Sequence, residues 1–173
     1  LFGVIPNKAE TGYGYIEVDS KLDLNKTVAQ NIKNFHEKPN IEKADEFLRD
    51  GKYLWNSGIF MFNKHIFIKE IKKYSHKLYE KVKKAYDNKI KDLDFIRIPK
   101  DFFDDCESIS IDNAIMEKTQ LGVVLPLDIG WSDIGNWLSL WENSEKDDDD
   151  NSIIGNVFSQ ENKNSYFRSE NRL

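Results

Sequence analysis

Runs of apolar residues, broken by small polar and glycine-rich segments, set the pattern of this chain. Residues 1–6 form an unbroken apolar run, as a strand buried on both faces does. Ile16-Glu17-Val18 predicts a second strand, residues 19–26 a polar turn, and residues 28–36 a further extended segment. That segment ends at Glu37-Lys38-Pro39. Pro39 disfavours a helical Lys38, so Glu37 and Lys38 are expected on an extended strand end. Asn40 is a candidate helix cap, with Ile41, Ala44, Phe47 and Leu48 on one face and Gly51 as the stop. The apolar run 59–62 predicts a buried strand, interrupted on its N-terminal side by Asn56-Ser57-Gly58. Helical spacing returns over 66–74 and 78–85. Ser108 or Ser110 can cap a helix carrying Ile111, Ala114 and Ile115. Residues 122–127 predict a strand. Residues 130–135 turn into a short helix with Ile134, Trp137, Leu138 and Trp141 on one face. The acids 147–150 predict a solvated loop, and Val157-Phe158 and Tyr166-Phe167 two weak strands.

Strands alternating with helices predict an α/β fold: a mixed, mostly parallel sheet with flanking helices. Both ends of the sequence lie in or near predicted strands, so the chain reads as a piece of a longer protein, or else as a small domain with strands at both ends. Residues 1–145 are expected to form one half of a domain. Residues 146–173 are expected to form an acidic loop and the start of a following β segment.

Composition narrows the classes. The 173 residues include 4 Trp, 7 Tyr and 11 Phe, too much aromatic area for a disordered chain despite a mean hydropathy of -0.63. The formal net charge of -5 argues against broad binding to nucleic acid or an anionic membrane. A lone cysteine, Cys106, excludes an internal disulfide and a zinc-finger framework, and suits a reducing, cytoplasmic setting. No apolar run approaches the length of a membrane span.

The candidate chemistry lies where polar residues interrupt apolar strands: 10–15, 35–39, 55–58 and 130–135. In open α/β sheets such residues gather at the ligand-binding ends of strands. Glu37 beside Lys38 offers an acceptor for hydroxyls and a cation for phosphate, or else an exposed charged turn. Asn56-Ser57-Gly58 suits sugar hydroxyls, with Gly58 admitting close backbone approach, or else a β-bulge. Asp133 suits a helix cap or a metal carboxylate. His36, His65 and His76 are scattered, with His36 no more than a neighbour of a site, and no nucleophile pattern or Gly-rich phosphate loop is present.

Five blocks occur in register: Glu10-Thr11-Gly12-Tyr13-Gly14-Tyr15-Ile16, Phe35-His36-Glu37-Lys38-Pro39, Trp55-Asn56-Ser57-Gly58-Ile59-Phe60, residues 110–118 around Ser110-Ile111-Asp112, and residues 130–137 around Trp131-Ser132-Asp133. Together they resemble bacterial mannose-1-phosphate guanylyltransferases, in particular the type II enzymes fused to a mannose-6-phosphate isomerase. The resemblance implies a nucleotidyltransferase fold and GDP-mannose synthesis from GTP and mannose 1-phosphate, with Mg²⁺ as cofactor. It implies that Gly14 offers a backbone contact to the sugar, Glu37 takes hydroxyls, Lys38 holds the sugar phosphate, and Asn56 and Gly58 line the mannose pocket. Lys38 and Asp133 are the catalytic pair it implies, Asp133 as the Mg²⁺ ligand. Asp112 receives no role beyond a helix-start cap. His36 stands where the family commonly has Val. The family's Gly-rich nucleotide signature and first metal Asp would precede Leu1, and the isomerase would follow Leu173, so residues 1–173 alone are expected to be inactive. Another sugar 1-phosphate as substrate, or a non-catalytic sugar-nucleotide-binding subunit, is the alternative. A homo-oligomer is left open.

Overall fold

The computed structural model describes residues 1–23 and 27–171, so the last part of the expected 19–26 turn and the extreme C-terminus lie outside the described residues. The chain divides into two compact units, residues 1–128 and 129–173.

In the first unit, β1 (Phe2–Val4), β2 (Tyr15–Val18), β3 (Gln30–His36), β4 (Tyr53–Asn56) and β7 (Val123–Leu127) form one sheet that closes on itself in the order β1–β4–β2–β3–β7. The helices are α1 (Ile41–Asp50), α2 (Lys64–Tyr74), α3 (His76–Asp87) and the short α4 (Lys100–Phe103). A hairpin of β5 (Ile90–Asp92) and β6 (Phe95–Arg97), turning at Leu93 with φ 53°, follows α3 and was not foreseen from the sequence. The sheet is mixed with flanking helices, as expected. It is not mostly parallel: β1 runs parallel to β7, whereas β1–β4, β2–β3, β2–β4 and β3–β7 are antiparallel. The parallel expectation rested on unbroken apolar runs, and any strand covered on both faces produces these whatever its direction.

β2 shows this directly. All four of its residues are buried. Ile16 and Val18 join Leu54 and Val124 in the core, with Leu1, Ile5, Ile32 and Phe35 packed around them. Each such fully buried side chain contributes about 1.5–3 kcal/mol. Tyr15 and Glu17 point to the opposite face, as period-two geometry requires. There Tyr15 packs on Phe47 of α1, and Phe47 stacks on Tyr53 at 4.0 Å. Gly3 leaves no room for a side chain: a Cβ would stand 2.6 Å from Val124 Cγ2 and 2.9 Å from Leu54.

α1 forms as the local signals predict. Asn40 Oδ1 accepts from Lys43 N–H at 3.0 Å, Ala44 and Phe47 are buried, and Gly51 stops the helix at φ 72°. α2 is capped by Asn63, whose Oδ1 accepts from His65 N–H at 2.9 Å. Ser110, not Asp112, caps the next helical segment: its Oγ accepts from Asn113 N–H at 3.2 Å. Residues Asp112–Met116 form a single wide π-helical turn.

The run 59–62 is not a buried strand. β4 lies earlier in the chain, at Tyr53–Asn56, and Gly58 turns it aside at φ 69°. Ile59, Met61 and Phe62 are exposed, Met61 by 74%. Phe60, Met61 and Phe62 line an open apolar groove with Ile66, Ile115 and Val123. Apolar content alone cannot distinguish a strand from an adjoining apolar loop.

In the second unit, α5 (Trp137–Glu142) is followed by β8 (Ser152–Gly155) and β9 (Tyr166–Ser169), paired in parallel. The expected helix face is not covered: Ile134, Trp137 and Leu138 are exposed, Trp137 by 77%. Val157-Phe158 is not a strand, because Gly155 at φ 92° ends β8 just before it. Asp147 is engaged rather than merely solvated. Its carboxylate accepts from Asn151 N–H at 2.8 Å and Asp149 N–H at 3.0 Å, and the Asn151 bond above all holds it below the usual aspartate range. No helix among the described residues is long and apolar enough to cross a membrane.

Candidate sugar-phosphate site

The site begins where β2 and β4 meet. Their ladder ends with Asn56 N–H donating to Gly14 C=O at 2.8 Å, which places Gly14 beside Asn56. A Cβ on Gly14 would stand 2.9 Å from Glu37 Oε2, 3.4 Å from Asn56 Cβ and 3.5 Å from Phe35 Cε1. A side chain there would displace the Glu37 carboxylate, and Gly14, Glu37 and Asn56 form one cluster.

The cluster has a fourth member that sequence reasoning missed. Asn56 Nδ2 donates to Asp112 Oδ1 at 3.1 Å, and Asn56 Oδ1 accepts from Gly58 N–H at 3.0 Å. Asn56 therefore ties the 57–58 turn to the π-helical turn at Asp112. Burial raises the Asp112 carboxyl above its usual range, and the nearby Glu37 charge adds to this, while the Asn56 hydrogen bond opposes it. The Ser110-Ile111-Asp112 block was a signal, but its partner lies 56 residues away and could not be read from local spacing.

Glu37 and Lys38 stand just past the end of β3. Lys38 is not extended, as Pro39 had suggested: it adopts φ 44°, the left-handed region. The chain must turn between β3 and the Asn40 cap within three residues, and a left-handed residue achieves this. Such a conformation costs a non-glycine residue about 1–2 kcal/mol, a strain typical of functional positions. Lys38 Nζ lies 3.3 Å from Glu37 Oε1, with both side chains solvent-accessible. One acceptor and one cation thus face solvent together beside Gly14 and Asn56.

The 56–58 segment is not a β-bulge. The β4 registers run without a shift, and the slip lies instead between Glu17 and Val18 in the β2–β3 pairing. Ser57 Oγ donates to Phe2 C=O at 2.6 Å and accepts from Ile59 N–H at 3.2 Å, bracing the turn. A Cβ on Gly58 would meet nothing within 4 Å, so its requirement is the positive φ rather than crowding.

Asp133 belongs to the second unit, in an irregular segment before α5. It does not cap that helix: Asn136 does, with Oδ1 accepting from Ser139 N–H at 2.8 Å. A Cβ on Gly135 would stand 3.7 Å from Asp133 Oδ2, so the carboxylate folds back over the 133–135 backbone. Among the described residues no group of three His, Cys, Asp or Glu side chains could hold a metal. A single carboxylate nonetheless fits Mg²⁺, which is held by one or two carboxylates with phosphate oxygens completing its shell.

The mannose-1-phosphate guanylyltransferase of Salmonella typhimurium is 44% identical over 169 residues, 98% of this chain and 35% of that protein. A second mannose-1-phosphate guanylyltransferase, from Escherichia coli O157:H7, is 42% identical over 177 residues, 99% of this chain and 36% of that protein. The chain therefore spans about a third of the length of the curated relatives it matches. The crystal structure of a mannose-1-phosphate geranyltransferase from Thermus thermophilus matches with a TM-score of 0.71 and 26% identity, over 90% of this chain and 43% of that one. The crystal structure of mannose-6-phosphate isomerase from Helicobacter pylori matches with a TM-score of 0.66 and 32% identity, over 76% of this chain and 50% of that one. Residues 1–150 match the nucleotidyl transferase family, and the chain belongs to that family.

Proposed function

We propose that the protein joins mannose 1-phosphate to GTP, forming GDP-mannose and releasing pyrophosphate. The observation that carries this reading is the convergence of Gly14, Glu37, Asn56 and Asp112 beside the strained Lys38 corner. Hydroxyl acceptors stand next to one cation, as a sugar bearing a phosphate requires. Two relatives named for this activity are 44% and 42% identical across nearly the whole chain, which supports the choice of mannose and GTP.

In this reading an oxygen of the sugar phosphate attacks the α-phosphorus of GTP in line. The bond from that phosphorus to the bridging oxygen breaks, and pyrophosphate leaves with the electron pair. Covalent chemistry by the protein is not needed; positioning and charge neutralisation suffice. Lys38 holds the attacking phosphate. Glu37 accepts from sugar hydroxyls, and Gly14 lets the sugar approach the backbone. Asn56 and Gly58 shape the mannose pocket. Asp133 would hold Mg²⁺, which when bound supplies positive charge toward the phosphates. The likeness to a mannose-6-phosphate isomerase supports an isomerase fused in the same polypeptide. The reading puts the reaction in the cytoplasm.

Lys38→Ala in the full-length protein is the test. Loss of the phosphate contact should lower kcat/KM for mannose 1-phosphate at least ~10²-fold, about 2.7 kcal/mol. The melting temperature should barely change, since the side chain is exposed. Near wild-type turnover would refute the reading.

A further inference from the structure

The face of the sheet behind the Glu37–Lys38 corner holds a polar group with no satisfied place in the fold. His36 Nε2 is buried and has no hydrogen-bond partner. Glu17 Oε2 lies 3.6 Å from it, just beyond hydrogen-bond reach. Glu17 is itself buried, only 9% exposed, in the middle of β2. It accepts from Lys33 Nζ at 2.6 Å and from Asn34 Nδ2 at 2.7 Å, and these bonds hold its carboxyl below the usual glutamate range. The group opposite His36 is therefore an anion across the neutral pH range.

The imidazole rests on the stacked rings of Phe47 and Tyr53, with centroids at 4.9 and 5.8 Å. β2 presents Glu17, and also Tyr15, which pairs with His36 across the ladder and whose hydroxyl accepts from Glu10 N–H. β4 presents Tyr53, whose phenol is raised by burial and by the charges of Glu17, Asp50 and Glu46. α1 presents the uncharged ring of Phe47, and β3 itself adds Lys33. Glu17 is the only one of these whose charged atoms are recorded within 4 Å of the ring nitrogen.

A neutral imidazole in this position either turns a lone pair toward the carboxylate or offers an N–H slightly too far away. A protonated one gains a charge-assisted hydrogen bond after a shift of a few tenths of an ångström. The residue so fixed is the last of β3, and the left-handed Lys38 follows two positions later. A strained backbone persists only where its surroundings determine it on both sides. The Asn40 cap fixes the chain on the far side, so the β3 end must fix it on the near side.

We propose that His36 is a positioning residue for the Glu37–Lys38 corner: protonated, it bonds the Glu17 carboxylate behind the sheet and holds Lys38 in the conformation that presents its ammonium to the sugar phosphate. The role rests on the sugar-phosphate reading above. It makes capture of that substrate depend on the proton carried by this imidazole.

The test uses the full-length protein, wild type and His36→Phe, with KM for mannose 1-phosphate and for GTP measured from pH 8 to pH 6. The Phe variant keeps the ring packing and loses the proton, and comparing the two proteins cancels titration of the substrate phosphate itself. The mannose 1-phosphate KM of the variant relative to wild type should rise at least ~5-fold as pH falls, with the GTP ratio flat. A structural role alone would shift both ratios equally at every pH. Proton NMR of the unmutated protein adds a readout independent of catalysis. A slowly exchanging imidazole N–H resonance should emerge as pH falls, and should be lost in Glu17→Gln. A mannose 1-phosphate ratio independent of pH, or no such resonance in wild type, overturns the role of His36 alone. Absence of any mannose 1-phosphate turnover in wild type overturns the functional reading and this role with it.

Discussion

Lys38 combines two demands that oppose each other. In the proposed reading its side chain is the cation offered to the phosphate, while its backbone sits at φ 44°, where glycine is more comfortable. Lys38→Gly should therefore separate function from stability. Turnover should fall as in the Ala variant, whereas thermal stability should rise by up to about 1 kcal/mol, because the left-handed strain disappears. Equal or lower stability in the Gly variant, read by thermal unfolding, would show that the corner stores no strain. Gly14 poses the reverse problem. A methyl group there would stand 2.9 Å from Glu37 Oε2, so the carboxylate of Gly14→Ala must move. Since a carboxylate is the end of a flexible side chain, the fold should tolerate the change. We expect kcat/KM for mannose 1-phosphate to drop at least ~10-fold with little change in melting temperature. An unchanged kcat/KM would mean that the position of Glu37 does not matter to the sugar.

At the scale of elements, the β2–β3 pair carries an acid-sensitive contribution. Glu17 has a folded pKa below its unfolded value because Asn34 and Lys33 bond its ionised form. Its stabilisation is therefore fully present above the unfolded pKa, about 4.3 for glutamate, and is lost as pH falls through the lower folded value. Glu17→Gln should cost stability at pH 7 and flatten the loss of stability below about pH 4.3. Parallel acid-unfolding curves for the two proteins would contradict this. The legibility of each element in the sequence follows the range of its determinants. α1 was readable to the residue because Asn40 and Gly51 act within one turn of the helix. β4 was misplaced by several residues, since its partners β1 and β2 lie far away in sequence and the exposed run 59–62 is equally apolar. The Glu37–Lys38–Asn56–Gly58 residues were found by their polarity within apolar surroundings. The Asp112–Asn56 bond and the His36–Glu17 approach were not, because each joins segments brought together only by the closed sheet. A glutamate flanked by Ile16 and Val18 was the one visible hint that a buried charge needed partners.

At the scale of the whole molecule, the proposed nucleotidyl transfer must bring two anionic substrates together, with Lys38 as the cation at the sugar-phosphate cluster. In that reading Mg²⁺ supplies part of the positive charge at the α-phosphate. Mg²⁺ keeps much of its hydration and relies on substrate phosphates for its remaining ligands, so one carboxylate from these residues gives it little affinity alone. Metal and nucleotide should therefore bind with positive coupling: GTP should tighten Mg²⁺ binding, and by reciprocity Mg²⁺ should tighten GTP binding by the same factor. In the proposed reading Asp133 is the residue on which this turns. Because Asn136 caps α5, Asp133→Asn leaves the cap untouched, and the stability change should be no more than a few tenths of a kcal/mol. The Mg²⁺ concentration needed for half-maximal rate should rise at least ~10-fold, because a neutral amide is a far weaker ligand than a carboxylate for a hard cation. Measuring rate against Mg²⁺ at saturating GTP and mannose 1-phosphate, with melting curves alongside, separates the outcomes. An unchanged Mg²⁺ requirement in a folded variant would remove Asp133 from the metal site and leave the charge of the α-phosphate to be met by other residues.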